Sequence, residues 1–386
     1  MGDINQINDV AAANINQVND VAKANISEIN DQGVPASGAT NWVVAGDDGH
    51  VFWCGADPTG TWTEYDNWQG DGTPRAYDIA AGKDANGNII YVMSRDSING
   101  ELQVSGSNVE SSHFWTKVTI AGSGDQDQYR IIWCDDGSTS GVWLAVGRQA
   151  NPSNDQNNPR SGVQRSTDGG ANWTNIALSG LTDHDTSKGI QALCFGNGVA
   201  MMAQEDRIYT STDYGANWSV STPFANDNPP TAARCLVYTN STFVLICGRL
   251  GELRIRSCAD SDLTDWSGES TANTSTRNPG NTFEDTVNCT AANGRVAHVT
   301  TNDDYVSYFD VNGKTISNIN VVDLPMNAQR RAEDIETDGV SWLISSRLGD
   351  IWRSTDNAES WTKIKTDAGG NADHGQAICS NVLLPL

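Results

Sequence analysis

Apolar and polar positions change rhythm once along this chain. Over residues 4–32 the apolar positions step by three and four, through Ile4, Ile7, Ala11, Ile15, Val18, Ala22, Ile26 and Ile29. The text itself repeats every eleven residues, as INQINDVAAAN, INQVNDVAKAN and ISEINDQ. Eleven residues in three turns is about 3.67 per turn, close to the α-helical 3.6, so these side chains form one nearly straight stripe. The pattern predicts an α-helix over 1–32, roughly 45 Å long. A helix so rich in Asn is marginal alone in water and needs its stripe covered. Asn8, Asn19 and Asn30 sit at the stripe's edge, placed to hydrogen-bond across a helix interface. The expectation is a right-handed coiled coil, a homotrimer, with Ile4, Ile7, Ile15, Val18, Ile26 and Ile29 as its oligomerisation or anchoring contacts. Docking of the helix on another protein, or on its own chain, is the alternative. Gly33 and Pro35 stop the helix, and residues 33–40 form a linker.

From residue 41 the period shortens to that of strands. The stretch IQALCFGNGVAMMAQEDRIYTSTDYGANWSVSTPF at 190–224 reads as four strands, 190–195, 199–203, 207–211 and 218–222. The same grammar runs through seven registers, with first strands beginning near residues 77, 129, 190, 234, 287, 332 and 376. A Trp follows the third strand at Trp62, Trp115, Trp173, Trp218, Trp266 and Trp361. The wide gap between the last two leaves room for a degenerate unit around FDVNGKTI at 309–316. Four-strand units of this length are propeller blades. The prediction is a mainly β fold, a seven-bladed β-propeller over 41–386. It opens on a second strand, NWVVAG, and ends on a first strand, HGQAICSN, so the C-terminal strand completes the first blade.

The turn after the third strand is nearly identical in two units, Ser166/Asp168/Gly170/Trp173 and Ser211/Asp213/Gly215/Trp218. A third, Ser354/Asp356/Trp361, has Ala358 where Gly is usual, and GADPTGTW at 55–62 keeps only the spacing from Asp57 to Trp62. This S-x-D-x-G-x-x-W turn resembles the Asp-box, or BNR repeat, of sialidases, sortilin-type receptors and some glycosidases. The resemblance implies the fold rather than an activity, because Asp-box turns lie away from the ligand face. Physically, the carboxylate accepts N–H groups of its own turn, Gly permits a positive φ, and Trp packs between sheets.

Composition narrows the partners. The net charge of −24 repels phosphate backbones and anionic lipids, which disfavours nucleic acid and membrane surfaces. No run of apolar residues is long enough to span a bilayer, and the first residues lack the pattern of a signal peptide. The eight Cys show no zinc spacing, so no metal or cofactor is expected. Cys134, Cys194 and Cys379 share one repeat position in first strands, with Cys235 and Cys289 close to it. All read as buried, reduced thiols.

Chemistry in a propeller belongs to the loops joining second to third strands. Arg95, Arg148, Arg249 and Arg347 fall in register at the ends of second strands. Converging on an axis, they would make a site for carboxylate, sulfate or acidic sugars. The alternative is that each pairs with a nearby carboxylate such as Glu101, Glu252 or Asp350. The long loop 147–162 suits recognition. His184 and His374 share a repeat position and read as architectural. No sialidase-type Arg motif is present, so no catalytic residue is assigned.

The N-terminal INxxNDVAxAN repeat is similar to those of tailed-phage virion proteins. That likeness implies a tail or fibre component assembled in the host cytoplasm. Its helix would anchor on other virion proteins or trimerise, and its propeller would bind a host-surface glycan or a neighbouring virion protein. A glycan-cleaving hydrolase and a non-binding connector are the alternatives.

Overall fold

The computed structural model describes residues 17–18, 21–22 and, between 42 and 381, all except 47–49, 67–75, 96–100, 106–114, 121–125, 150–161, 179–189, 191, 205–206, 225–231, 250–251, 268–269, 273–286, 301–304, 327–331 and 367–376. The chain forms two units, one built chiefly from Met1–Ala39 and the other from Thr40–Leu384.

In the first unit the described residues are Gln17–Val18 and Val21–Ala22, two short strands paired antiparallel. At these positions, Val18 included, the structure corrects the helix expected from the eleven-residue period. The repeat is rich in Asn and Asp, whose side chains compete for the backbone bonds a helix interior needs. Ile4, Ile7, Ile15, Ile26, Ile29 and the linker 33–40 lie outside the described residues.

The second unit is a β-propeller whose described strands make seven four-stranded antiparallel sheets. The first sheet is composite. Ala377–Ser380 is its innermost strand, followed by Trp42–Ala45, His50–Cys54 and Thr63–Asp66. Residue by residue, Trp42 pairs with Ser380 and Ala45 with Ala377, so the closing strand expected from the sequence is in place. The other sheets each take four consecutive strands. Their innermost strands are Ala76–Lys83, Gln126–Cys134, Ala192–Gly196, Ala232–Thr239, Val287–Ala292 and Ala332–Thr337. Around 309–316, where the sequence reading left a degenerate unit, a hairpin of Tyr305–Asn312 and Thr315–Asp323, with a register shift between Tyr308 and Asp310, completes the sixth sheet.

Burial falls from the inner to the outer strands. The second strand Val199–Gln204 is buried through its first five residues, whereas the fourth strand Ser219–Ser221 is exposed throughout. Second strands such as Val142–Gln149 and Thr242–Arg249 carry unbroken apolar runs because both of their faces meet a neighbouring sheet. The core is accordingly not one mass. It divides into apolar clusters, each filling the seam between two adjacent sheets. Trp42, Val44, Phe52 and Ile378 of the first sheet meet Leu343 and Ile351 of the seventh, so the seam next to the composite sheet is packed like the rest.

Candidate functional site

The three repeated turns have one geometry. Ser166 Oγ donates to Asp168 Oδ1 at 2.8 Å and accepts the Gly170 N–H at 3.0 Å. Asp168 also takes the Asn172 backbone N–H at 2.9 Å and its side-chain amide at 2.7 Å, while Trp173 Nε1 donates to the Gly170 carbonyl at 2.8 Å. Ser211, Asp213, Gly215, Asn217 and Trp218 repeat every bond. So do Ser354, Asp356, Ala358 and Trp361, with Ser360 in the place of Asn. Donation from the Asn217 side chain and backbone holds the Asp213 carboxyl below the usual range. At Asp168 burial opposes the charge, but the Asn172 and Ser166 donors outweigh it and the shift is again downward. Both oxygens of each of these carboxylates accept hydrogen bonds from within its own turn. The reduced fourth copy uses Asp57 Oδ1 to hold the Thr59 N–H and hydroxyl at 2.9 and 2.7 Å, and Trp62 Nε1 donates to the Pro58 carbonyl.

Two of the turns are also held from a neighbouring sheet. Arg165 Nε donates to the Tyr214 carbonyl of the next turn at 2.8 Å, and Arg295 Nη1 to the Asn357 carbonyl at 3.0 Å. At this end of the propeller, an arginine on a strand of one sheet thus holds the turn of the next.

A second set of polar groups sits near the beginnings of the innermost strands. Four of these strands carry a bulge, between Ala76 and Asp78, Gln128 and Arg130, Ala233 and Cys235, and Ala332 and Asp334. A bulge re-aims the side chain that follows it. Asp78 Oδ2 accepts the Ile131 N–H of the next sheet at 2.8 Å while Oδ1 accepts its neighbour Ile79. Asp334 does the same one seam before the closing strand, taking the Ile378 N–H at 2.8 Å and the Ile335 N–H at 2.8 Å. Innermost strands have a free edge, and these carboxylates satisfy N–H groups that the edge leaves unpaired. Between the sixth and seventh sheets the joint is an amide, Asn288 Nδ2 to the Glu333 carbonyl at 2.6 Å. Between the fifth and sixth it is covalent, a Cys235–Cys289 disulfide with Cα atoms 6.2 Å apart.

Enclosure raises the proton affinity of these acids. Burial, opposed by Arg130, pushes Asp78 up to about 6. Burial pushes Glu336 up to about 7, against donation from the Thr337 N–H and the Thr290 hydroxyl. Asp334 rises further, first from burial and then from the nearby charge of Asp78.

The four arginines keep their predicted register. Arg95 and Arg249 end second strands, Arg148 is one residue from such an end, and Arg347 directly follows one. Arg95 pairs through its backbone with Ala76, and Arg148 with Asp127, so these positions lie at the end of the propeller where innermost strands begin. Arg347 is exposed, and the side chains of Arg95, Arg148 and Arg249 are outside what the structure describes. Asp350, one proposed partner, is buried and accepts Lys363 Nζ at 3.3 Å. His184, His374 and most of the loop 147–162 are outside the described residues. Among the described residues no group of His, Cys, Asp and Glu is arranged to hold a metal, and no helix is long and apolar enough to cross a membrane.

Two points correct or extend the sequence reading. Cys235 and Cys289 are bonded rather than reduced, because the bulge before Cys235 turns it across the seam. The remaining cysteines, Cys54, Cys134, Cys194, Cys247, Cys258 and Cys379, are buried thiols. The bridging aspartates carried a sequence signal in the shared Asp-Ile pair of YDIA at 77–80 and EDIE at 333–336.

No family model matches the chain, and no curated protein matches it. Solved structures do. A Bacteroides uniformis protein proposed to be a 6-phosphogluconolactonase aligns with a TM-score of 0.60 at 12% identity, over 89% of this chain and 100% of its own. A second such protein, from Bacteroides fragilis, gives 0.60 at 13% identity over 90% and 99%. A Lactobacillus plantarum protein gives 0.58 at 10% identity over 89% and 99%. At these identities the likeness establishes the β-propeller fold alone.

Proposed function

We propose that this chain is a virion structural protein of a tailed phage, a seven-bladed Asp-box propeller that binds rather than cleaves. The propeller recognises an acidic host-surface glycan or a neighbouring virion protein, and residues 1–32 anchor or trimerise it. The observation that carries the reading is how the placed carboxylates are used. Asp168, Asp213 and Asp356 bind donors of their own turns, and Asp78 and Asp334 hold adjacent sheets together. These acids serve as fastenings, which suits a rigid display scaffold. The recognition face is the end carrying Arg95, Arg148, Arg249 and Arg347, opposite the Asp-box turns. Sequence supports the virion assignment through the eleven-residue repeat, and a trimer would raise a weak glycan contact to useful avidity.

Light scattering on the full chain and on a chain starting at Thr40 tests the assembly. A trimer that becomes a monomer on truncation is expected, and a monomer in both cases refutes trimerisation. Arg249→Ala with Arg347→Ala should weaken binding to sulfated or carboxylated glycans on an array. Unchanged binding would remove the arginine face, and release of reducing sugar from host envelope polysaccharide would replace binding by hydrolysis.

A further inference from the structure

The seam between the fifth and sixth sheets is fastened differently at its two ends. Near the hairpin end, hydrogen bonds do the work. Asn240 Nδ2 donates to the Val311 carbonyl at 3.2 Å, the Thr242 hydroxyl to Gly313 at 3.2 Å, and the Ser257 hydroxyl to Lys314 at 3.0 Å. The Gly294 N–H meets the Thr239 hydroxyl at 3.0 Å. Near the end where the innermost strands begin, the fastening is the Cys235–Cys289 bond. At the corresponding joints on other seams Asp78, Asn288 and Asp334 use hydrogen bonds, which no reductant breaks.

The two sulfurs are unequal. Cys235 is 4% exposed, whereas Cys289 is only half-buried on its innermost strand, so a small molecule in the axial space meets Cys289. Directly across the ladder from Cys289 stands His298, and directly opposed residues of an antiparallel pair share a face. His298 is 2% exposed, and neither ring nitrogen has a hydrogen-bond partner. Burial holds its pKa down to about 4, so the ring is neutral and keeps an acceptor nitrogen. An enclosed imidazole without a partner is costly, and something should be gained from it.

We propose that the Cys235–Cys289 bond is a reducible clasp, opened by a small dithiol that attacks Cys289, and that His298 accepts the hydrogen bond of the freed Cys289 thiol. In the first step a reductant thiolate bonds to Cys289 Sγ, the S–S bond breaks, and Cys235 leaves with the electron pair and takes up a proton. The second thiolate of the reductant then displaces Cys289 and closes the reductant into a disulfide, and Cys289 in turn takes up a proton. Two electrons and two protons pass to the protein. Cys289 S–H then points at His298, a positioning residue that favours the reduced form. Opening loosens one end of the seam while the hydrogen bonds at the other end act as its hinge.

The test uses the folded full chain with dithiothreitol as the dithiol, alkylation by iodoacetamide and peptide mapping. Cys235 and Cys289 should become alkylated while the far-UV circular dichroism is unchanged and the other cysteines stay protected. Amide exchange should rise over 232–235 and 287–291 but not over 240–242 and 311–314. With glutathione as a monothiol, the mixed disulfide should sit on Cys289. In a fixed ratio of reduced to oxidised dithiothreitol, His298→Leu should shift the equilibrium about fivefold toward the disulfide, the weight of one ordinary hydrogen bond. His298→Asn, which restores an acceptor, should recover most of that shift. Reduction only on unfolding, a first adduct on Cys235, or equal equilibria for wild type and His298→Leu would each overturn the proposal.

Discussion

The three repeated Ser-Asp turns invite a comparison in which one methyl group is the perturbation. At Gly170 and Gly215 the backbone has φ of 82° and 79°, in the left-handed region. For an alanine that conformation costs about 1–2 kcal/mol. Replacing Gly returns about 0.4–1 kcal/mol by restricting the unfolded chain. Where space is open the balance is about 1 kcal/mol of destabilisation. Space is open at Gly170, where a Cβ would meet Val92 and Val104 side-chain atoms at 3.5–3.7 Å. At Gly215 the same atom would lie 2.5 Å from Leu144 Cδ2, and Leu144 is fully buried between sheets and cannot swing away. Overpacking of this kind adds about 1–3 kcal/mol. Gly170→Ala should therefore cost about 1 kcal/mol and Gly215→Ala about 2–4 kcal/mol. The third turn supplies the control, since Ala358 already adopts φ 67° with its methyl fully buried. Ala358→Gly relieves strain but gives up about 0.8 kcal/mol of methyl burial and the chain-entropy gain, leaving stability nearly unchanged. Urea unfolding followed by tryptophan fluorescence, with matched slopes, reads all three. If Gly215→Ala costs no more than Gly170→Ala, the packing argument is wrong.

Further expectations follow from single groups. His298 has its pKa depressed from 6.5 to about 4, so its share of stability is full above about 6.5 and is lost as pH falls toward 4. His298→Met should gain more stability over wild type at pH 5 than at pH 7 in parallel thermal melts. Asp78 and Glu336 act with the opposite sign, because their pKa values are raised to about 6 and about 7 and their contribution is lost as pH rises through those values. Asp213 is depressed, so its contribution holds above the ordinary carboxylate range and disappears as pH falls through the folded value. Asp213→Asn should flatten the acid limb of a pH-stability curve. Replacing Cys235 and Cys289 by Ser together opens a cross-link spanning 54 residues and should cost about 4 kcal/mol by chain entropy, measured by urea midpoint. Asp334→Ala leaves the Ile378 and Ile335 N–H groups unpaired, so hydrogen exchange over Ala377–Ser380 should accelerate while the Ile131 amide held by Asp78 stays protected.

Much of the propeller was legible because its local rules repeat. Runs such as VAMMA and FVLIC announce strands buried on both faces, and the Ser-Asp-Gly-Trp spacing fixes where third strands end. The composite first sheet was legible from which strand type opens and ends the repeat. The seams were not. Asp78 and Asp334 find their partners on the next sheet, and no local pattern says which N–H groups a free edge leaves open. The Cys235–Cys289 bond depends on a bulge, a one-residue irregularity that breaks the register from which repeat positions are counted. At the N-terminus, the pairing of Gln17–Val18 with Val21–Ala22 shows that an apolar period does not by itself fix the element.

The pairing of Ala377–Ser380 with Trp42–Ala45 has a consequence for synthesis. The first sheet's innermost position stays empty until the ribosome has delivered nearly the whole propeller. Through all that time Trp42–Ala45 presents an unpaired, fully apolar strand edge, the kind of surface that seeks a partner. Early sheets can form as they emerge, but none of them can complete the circle, so the last step of maturation is a long-range docking of four residues. A truncation or stall before residue 377 should leave a species that is nearly native in secondary structure and prone to pair with its own kind. The joint that makes the finished protein closed is the same one that makes its unfinished form adhesive.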